Sequence, residues 1–298
     1  MIALYASGGL GNQLFNYAAA RTLADRTNTT LVVDAAAYRD QWGSDGTRPH
    51  VLHRFPARAR FRNLERNVIR RPLLGRIARR LREDILATVL DRPANEIGYF
   101  PGFQRLGRRT ILKGHFISQR FFAGNEDRIR RDLTLDRGVI HADEVANRVL
   151  VEMRSRGTPV AVHVRRGDLL NPDLSWLLLP DIEAYYRDAF KRMAALLADP
   201  VFWVFSDDPE WCRETFAPFP GEVRIVDTLV DGRANPIKEF YLMSQCHSFV
   251  ITNSAFSWWG AWLGSSEAKR VIAPDRWDNR GFVAMVDLIP AGWEMIAW

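Results

Sequence analysis

The second half of the chain alternates short apolar runs with amphipathic stretches. Runs rich in β-branched and aromatic residues predict strands, and apolar positions at helical spacing predict the helices that alternate with them. The predicted strands are Val160–Val164, Val201–Phe205, Val223–Val226, Phe249–Thr252 and Arg270–Ala273, and the predicted helices are Asp181–Leu197, Pro209–Phe216, Pro236–Cys246 and Ser254–Leu263. This alternation predicts a parallel sheet built from right-handed βαβ units.

The first half begins in the same way and then loses its pattern. Its predicted elements are a strand at Ile2–Ala6, a helix at Asn12–Arg26 and a strand at Leu31–Asp34. From about residue 39 to 119 the pattern is too weak to assign elements. A predicted helix at Ala142–Arg156 connects the halves and places the domain boundary near 150–158. We therefore expect an α/β protein with two domains, residues 1–152 and 153–298.

Polar side chains follow each predicted strand of the second half at the point where the strand ends. Because open parallel sheets bind ligands beyond the carboxyl ends of their strands, this convergence predicts a binding site. Its members, in strand order, are His163, Arg165, Arg166 and Asp168; Asp207 and Asp208; Asp227; Asn253, Ser254 and Ser257; and Asp275.

The chemistry of this set suits a diphosphate nucleotide. Adjacent arginines offer planar donor forks for phosphate. Strand alternation puts His163 and Arg165 on one face and Arg166 on the other. One arginine would then meet the ligand, and the other would brace the loop by pairing with an aspartate. Asn253 and Ser254, at a predicted helix start, add free backbone N–H groups where the helix dipole favours an anion.

Two of these features have a structural alternative. Asp207 and Asp208 suit hydrogen bonds from a base or ribose, but Ser206-Asp207-Asp208-Pro209 is also a helix N-cap sequence. An aromatic group near the end of the chain fits core packing better than a stacking platform. Its members are Phe256, Trp258, Trp259 and Trp262.

Composition narrows the class of protein. The chain has 298 residues, of which 47% are apolar and 26% charged, the balance of a globular protein. Its two cysteines, Cys212 and Cys246, form no CxxC pair, so neither a zinc site nor a redox motif is predicted. The sequence shows no secretory signal and no apolar stretch near ~18 residues, and we expect a cytoplasmic location.

Positive charge is concentrated in one stretch of the sequence. The net charge is +6, and eleven arginines fall between Arg54 and Arg82 among apolar residues at near-helical spacing. One interpretation is a solvated helix face. The other is peripheral attachment to the anionic inner face of a membrane, where lipid-linked acceptors lie. Nucleic-acid binding would explain the arginines but not the ordered polar residues at the strand ends.

Six segments together resemble glycosyltransferase family eleven, which consists mainly of α-1,2-fucosyltransferases. They are Gly8–Phe15, His163–Asp168, Phe205–Asp208, Leu242–Cys246, Asn253–Trp262 and Ile272–Trp277. The resemblance implies a GT-B architecture, two Rossmann-like domains with the active site in the cleft between them. It implies GDP-fucose as donor, bound by the second domain, and an acceptor glycan with a terminal galactose on the first. It also implies inversion at the anomeric carbon and no metal or other cofactor.

The same resemblance implies roles for single residues. Arg165 matches the arginine that contacts the donor's β-phosphate, and His163 lies on the nucleotide side of that loop. Asp207 and Asp208 match the acidic pair beside guanosine. The loop around the diphosphate comprises Asn253, Ser254, Phe256 and Ser257, and the glycine-rich turn of the first domain comprises Gly9, Gly11 and Asn12. The candidate catalytic residues are Arg165, Asp168 and Asn12.

Two departures and one mechanistic question stay open. Ala255 stands where the family commonly has serine or threonine, and Ile117 follows Gly114-His115-Phe116 where it usually has glutamine after Gly-Tyr-Phe. Acceptor choice therefore does not follow from the resemblance. Asp168 or Asp173 is placed to accept the acceptor's proton, but either fits a structural pairing role, and a late proton transfer needs no strong base.

The rival functions are weaker matches. A dinucleotide oxidoreductase is suggested by Gly9 and Gly11 after a strand, but Leu14 occupies the third glycine position of G-x-G-x-x-G. A GDP-sugar transferase for another sugar or linkage stays open within the enzyme class.

Overall fold

The computed structural model describes residues 1–36, 38, 49–62, 88–92, 96–178, 181–226 and 235–298, without the side chains at 168, 173 and 175. The basic stretch between Arg54 and Arg82 lies largely outside the described residues, since only its part up to Arg62 is included. The chain divides into two compact units, Met1–Thr134 and Leu135–Trp298.

The first unit is a five-stranded parallel sheet with a long buried helix. Its strands are β1 (Ile2–Tyr5), β2 (Leu31–Asp34), β3 (Arg60–Arg62), β4 (Thr88–Asp91) and β5 (Thr110–Lys113), and its helices are α1 (Leu10–Arg26) and α2 (Glu126–Leu133). The strand order is β3-β2-β1-β5-β4. α1 is buried almost throughout, and its alanines Ala18, Ala19 and Ala20 are fully buried. Small side chains allow this close packing.

The second unit is a six-stranded parallel sheet. Its strands are β6 (Thr158–Val164), β7 (Pro200–Ser206), β8 (Glu222–Ile225), β9 (Ser248–Val250), β10 (Val271–Pro274) and β11 (Glu294–Ile296). Its helices are α3 (Glu144–Ser155), α4 (Ile182–Leu196), α5 (Pro209–Phe216), α6 (Pro236–Ser244), α7 (Ala255–Leu263) and α8 (Met285–Leu288). The order is β11-β10-β9-β6-β7-β8, so the predicted parallel sheet is confirmed. The sequence did not predict β11.

Strand β6 is the centre of the second sheet, and its two ladders differ in length. It pairs with β7 along its whole length, from Thr158–Pro200 to Val164–Ser206. With β9 it pairs only from Val160–Ser248 to Val162–Val250. The strand interiors join α4 and α5 in one apolar core, to which buried Phe190, Phe202 and Phe216 contribute stacked and tilted rings.

The boundary between the units lies earlier than the sequence indicated. We expected it at 152/153, but the chain divides between Thr134 and Leu135. The reason is that α3 belongs to the second unit. Asp143 caps the first turn of α3 and also pairs with the ammonium of Lys238 on α6. This capping and pairing tie the predicted connecting helix to the second unit.

Among the described helices, none combines the length and the apolar character that crossing a membrane requires.

Candidate functional site

Strands β6 and β9 mark the topological switch point of the second sheet. From β6 outwards, the chain adds β7 and β8 on one side and β9, β10 and β11 on the other. Open α/β sheets bind ligands beyond the carboxyl ends of the strands at such a point. Most of the predicted site residues follow β9, β6 and β7, which are neighbours in the sheet, and Asp275 follows the adjacent β10, so the structure brings them to one edge.

Arg166 braces the loop that follows β6. Its Nε donates to Oδ2 of Asp208 at 3.1 Å, and its guanidinium carbon lies 4.4 Å from the ring centroid of Trp211 on α5. This confirms that one of the two arginines pairs with an aspartate. Arg165, which directly precedes Arg166 in the sequence, is half-buried.

The two aspartates after β7 hold backbone groups. Oδ1 of Asp207 accepts from the N–H of Arg166 at 2.8 Å, and Oδ2 accepts from the N–H of Gly167 at 3.1 Å. Asp208 caps α5 by accepting from the N–H of Trp211 at 3.2 Å, which confirms the N-cap interpretation. Asp207 therefore fixes the course of the loop that carries Arg165.

Asn253 joins three segments at the end of β9. It is 2% exposed, and its side-chain amide donates to the carbonyl of Leu177 at 2.7 Å and to that of Trp277 at 2.9 Å. Its Oδ1 accepts from the hydroxyl of Thr252 at 3.1 Å. Both amide hydrogens are thus used within the protein, between the loop after β6 and the loop after β10.

Helix α7 begins with open backbone donors. Ser254 is the N-cap residue, but its side chain makes no capping hydrogen bond. The hydroxyl of Ser257 donates back to the carbonyl of Ser254 at 3.1 Å. At the other end of α7, the ammonium of Lys269 donates to the carbonyls of Ala261 and Gly264 at 2.9 and 2.7 Å. A cation at the C-terminus and free N–H groups at the N-terminus both match the helix dipole, so an anion is favoured at Ser254.

An aromatic contact links the two sides of the switch point. The imidazole of His163 on β6 stacks on the ring of Phe256 on α7, with centroids 5.3 Å apart. The tryptophans of α7 are core residues, as the sequence indicated: Trp258 and Trp259 are 0% exposed and Trp262 is 7% exposed.

The side chains of three predicted acidic residues are not among those that the structure describes. The side chains of Asp168 and Asp173, and the whole of Asp227, lie outside the described residues.

The glycine-rich turn of the first unit lies at the carboxyl end of β1, next to the end of β5. Gly8 has φ +77°, and a Cβ added there would lie 2.7 Å from Nδ2 of Asn12 and 2.9 Å from Cε1 of His115. Asn12 and His115 therefore lie close together over the turn, and only glycine fits between them. Gly9 is the N-cap of α1, without a side-chain cap, and Gly11 is buried.

Sequence reasoning missed a buried glutamine in the same turn. Gln13 is 0% exposed, and its amide donates to the carbonyls of Gly8 at 3.1 Å and Pro49 at 3.0 Å. Its Oε1 accepts from the N–H of Val51 at 2.9 Å. The signal was present, because Gln13 lies in the Gly8–Phe15 segment that resembles the family, but nothing in the sequence identified its partners.

Sequence reasoning also missed a group of histidines beside this turn. The hydroxyl of Tyr38 donates to the carbonyl of Gly8 at 2.7 Å, and the ring of His50 lies edge-on to Tyr38 at 5.4 Å. His50 and His53 stack, with 3.2 Å between their Nδ1 atoms. Burial and the neighbouring His53 lower the pKa of His50 to about 4, so its ring is neutral at pH 7.

Comparison with known proteins decides the class. The profile of Glycosyl transferase family 11 matches residues 115–297. The chain belongs to this family. It is therefore a glycosyltransferase, which confirms the predicted class and sets aside the oxidoreductase and nucleic-acid interpretations.

The relatives and structures agree with this assignment. An alpha-1,2-colitosyltransferase of Escherichia coli is 27% identical over 97% of each chain. Galactoside alpha-(1,2)-fucosyltransferase 1 of Homo sapiens is 35% identical over 52% of this chain and 43% of its own length. Fucosyltransferase NodZ from Bradyrhizobium has a TM-score of 0.52 at 19% identity, over 87% of this chain and 92% of that chain. This likeness confirms the GT-B fold.

The contacts of Asn253 predict that Asn253→Ala destabilises the second unit strongly. One buried carbonyl and one partly buried carbonyl would lose their donors, which costs about 2–3 kcal/mol of unfolding free energy. Chemical denaturation measures the loss. Asn147→Ala is the matched control, because Asn147 also donates to backbone carbonyls, those of Ile140, His141 and Asp143, but in a partly exposed place where water can replace it. A loss at Asn253 no larger than that at Asn147 would contradict the structural role.

Proposed function

We propose that this enzyme transfers L-fucose from GDP-fucose to the 2-hydroxyl of a terminal galactose, with inversion and without a metal ion. One observation carries the proposal. Arg165 follows β6, and the open first turn of α7 follows β9, so a guanidinium and backbone N–H donors flank the switch point of the second sheet. A pyrophosphate is the ligand that such donors suit.

The same donors supply the catalysis that this reaction needs. Negative charge grows on the diphosphate as the sugar leaves in an oxocarbenium-like state. Donors that already point at the leaving group stabilise that charge without having to move. In our proposal Arg165 and the N–H groups at Ser254 do this, while Asp207 keeps the arginine loop in place through the two backbone N–H groups it holds.

The remaining predicted residues keep their proposed roles. His163 and Phe256 form an apolar and aromatic surface beside the diphosphate, and their stacking supports a place for the nucleotide there. Asp168 is the candidate that either takes the acceptor's proton or orients the arginines. Asn253 contributes by holding the loops around the site.

The comparisons with known proteins support the choice of GDP-fucose as the donor and of an α-1,2 linkage in the product. A NodZ structure soaked with GDP-fucose has a TM-score of 0.51 to this chain, over 92% of this chain and 94% of that chain, at 20% identity, and the name of the human relative specifies an α-1,2 bond to a galactoside. GDP-fucose holds its sugar in β linkage, so an α product requires inversion. Among the described side chains, no group of three or more His, Cys, Asp or Glu residues could hold a metal ion. In our proposal, cationic side chains stabilise the departing diphosphate.

A second donor has specific support. The colitosyltransferase relative aligns over 97% of both chains, a longer match than that of the human fucosyltransferase. GDP-colitose is therefore the alternative donor. It would use the same diphosphate site, and only the sugar would differ.

We propose that the first unit binds the acceptor. Its Gly8 turn gathers Asn12 and His115, with Tyr38 and His50 close by, at the carboxyl edge of its sheet. Neutral imidazole, amide and phenol groups both donate and accept hydrogen bonds, which suits the hydroxyls of an uncharged sugar.

We also propose that the protein is cytoplasmic and that the stretch Arg54–Arg82 attaches it to an anionic membrane surface.

A donor comparison tests the proposed function. We expect transfer from GDP-fucose to a β-galactoside in the presence of EDTA, at a rate far above that with GDP-mannose or UDP-galactose. NMR of the product should show an α-1,2 linkage. A preference for GDP-colitose would replace the donor sugar in the proposal, and loss of activity in EDTA that added Mg²⁺ or Mn²⁺ restores would overturn its metal-free part.

Arg165→Lys tests the role of the guanidinium. A lysine keeps the charge but loses the planar pair of donors, so we expect turnover at saturating donor to fall about a hundred- to a thousandfold. Steady-state kinetics measure the change. Arg213→Lys is the matched control, since Arg213 lies on the surface of α5, where it pairs with Glu210, and its activity should stay close to wild type. Turnover of Arg165→Lys near the wild-type value would sink the assignment.

His115→Ala tests the acceptor site. We expect the KM for the galactoside to rise about tenfold, because one hydrogen-bonding partner of the sugar is lost, while the KM for the donor stays the same. His141→Ala, an exposed histidine of the second unit, serves as the control and should change neither value. An unchanged acceptor KM in His115→Ala would place the acceptor elsewhere.

A further inference from the structure

Two adjacent tyrosines of α4 are buried beneath the switch point. Tyr185 and Tyr186 are 1% and 0% exposed, and their rings pack at 5.2 Å from each other. Tyr185 also stacks on Trp298 at 4.6 Å, and Tyr186 packs edge-on to Phe216 at 5.4 Å. A phenylalanine would provide the same ring contacts, so core packing alone does not call for two hydroxyls in this place.

Each hydroxyl binds the backbone of a different strand. Tyr186 donates to the carbonyl of His163 on β6 at 2.6 Å, and Tyr185 donates to the carbonyl of Ile251, just after β9, at 2.5 Å. These two carbonyls belong to the first residues beyond the β6–β9 ladder, which ends at Val162–Val250. The tyrosines therefore bind β6 and the segment after β9 at the point where these two strands stop pairing with each other.

The hydroxyl of Tyr186 also lies beside a second group of hydrogen bonds, on the far side of the site. It lies close to the hydroxyl of Thr252, which donates to Oδ1 of Asn253 at 3.1 Å. Asn253 in turn donates to Leu177 and Trp277. The hydrogen bond from Tyr186 thus ends on β6, two residues before Arg165, and the neighbouring one from Thr252 ends on the residue before Ser254.

We propose that Tyr185 and Tyr186 are positioning residues that set the separation between the Arg165 loop and the first turn of α7. The inference rests on the proposed function, because it concerns the same diphosphate site. Donors aimed at a developing charge act only when they are held in place to within a fraction of an ångström. The β6–β9 ladder ends at Val162 and cannot hold the two strands at a fixed separation beyond that residue. The hydrogen bonds of the two tyrosines hold them there instead.

The test uses Tyr186→Phe in the full-length protein. The variant keeps the ring and loses the hydroxyl. We expect its dissociation constant for GDP, measured by calorimetry well below the melting temperature, to rise about tenfold. Tyr185→Phe should act in the same direction through the β9 side.

Two controls separate positioning from general stability. Tyr17→Phe removes a buried hydroxyl of the first unit that is bonded to Asp132 and to the N–H of Arg58, so it lowers the melting temperature without touching this site. Its GDP affinity should stay at the wild-type value. A double-mutant cycle supplies the second control. If Tyr186 acts through the Arg165 loop, Tyr186→Phe should cost less than about twofold in affinity once Arg165 is alanine.

The outcomes distinguish a failure of the positioning role from a failure of the proposed function. Equal GDP affinity in wild type and Tyr186→Phe overturns the positioning role and leaves the proposed function intact. Fully additive losses in the cycle also overturn it, because they show that the hydroxyl acts independently of Arg165. A wild-type protein that does not bind GDP removes the proposed function and this inference together.

Discussion

Every buried backbone N–H or C=O group needs a hydrogen-bonding partner. In the second unit this requirement matters most where β6 and β9 separate. Their ladder covers only Val160–Ser248 to Val162–Val250. Beyond it, carbonyl and N–H groups lose their strand partners just where the chain must open to receive a ligand. Side chains take over this task, and an unpaired buried group would cost as much as a lost hydrogen bond. Asn253 and the two tyrosines of α4 serve this purpose, and in our proposal Arg165 and the α7 turn are then left to face the ligand.

The first unit solves the same problem with amides from one helix. β1 and β5 pair only as far as Leu4–Leu112. Beyond that point Gln13 binds the backbone at Gly8, and Oδ1 of Asn16 accepts from the N–H of Phe116 at 3.2 Å. Both side chains are 0% exposed. A motif that reads as a nucleotide-binding turn in the sequence is thus in large part a device for holding loops together.

Sequence reasoning succeeded where a repeating pattern dictates structure. Apolar runs bounded by turns predicted five of the six strands of the second sheet to within about two residues, and the predicted helix at Pro209–Phe216 agrees at both ends. It failed where partners are distant. The short strands β3 and β4 carry exposed, charged residues, and an edge strand with little buried surface leaves no alternation to read. Residue types at the site were visible, but the division between ligand-facing and loop-holding roles depends on neighbours that only folding brings together.

The position of β6 in the sheet has a consequence for how the protein matures on the ribosome. β6 is made first among the strands of its unit, yet one of its two partners, β9, is the fourth of the six to be synthesised. Until Ser248–Val250 has left the exit tunnel, one flank of the central strand stays uncovered and the residues that follow β9 at the candidate site are missing. Nascent chains stopped before that point would expose a sticky apolar edge, which is a state that chaperones recognise.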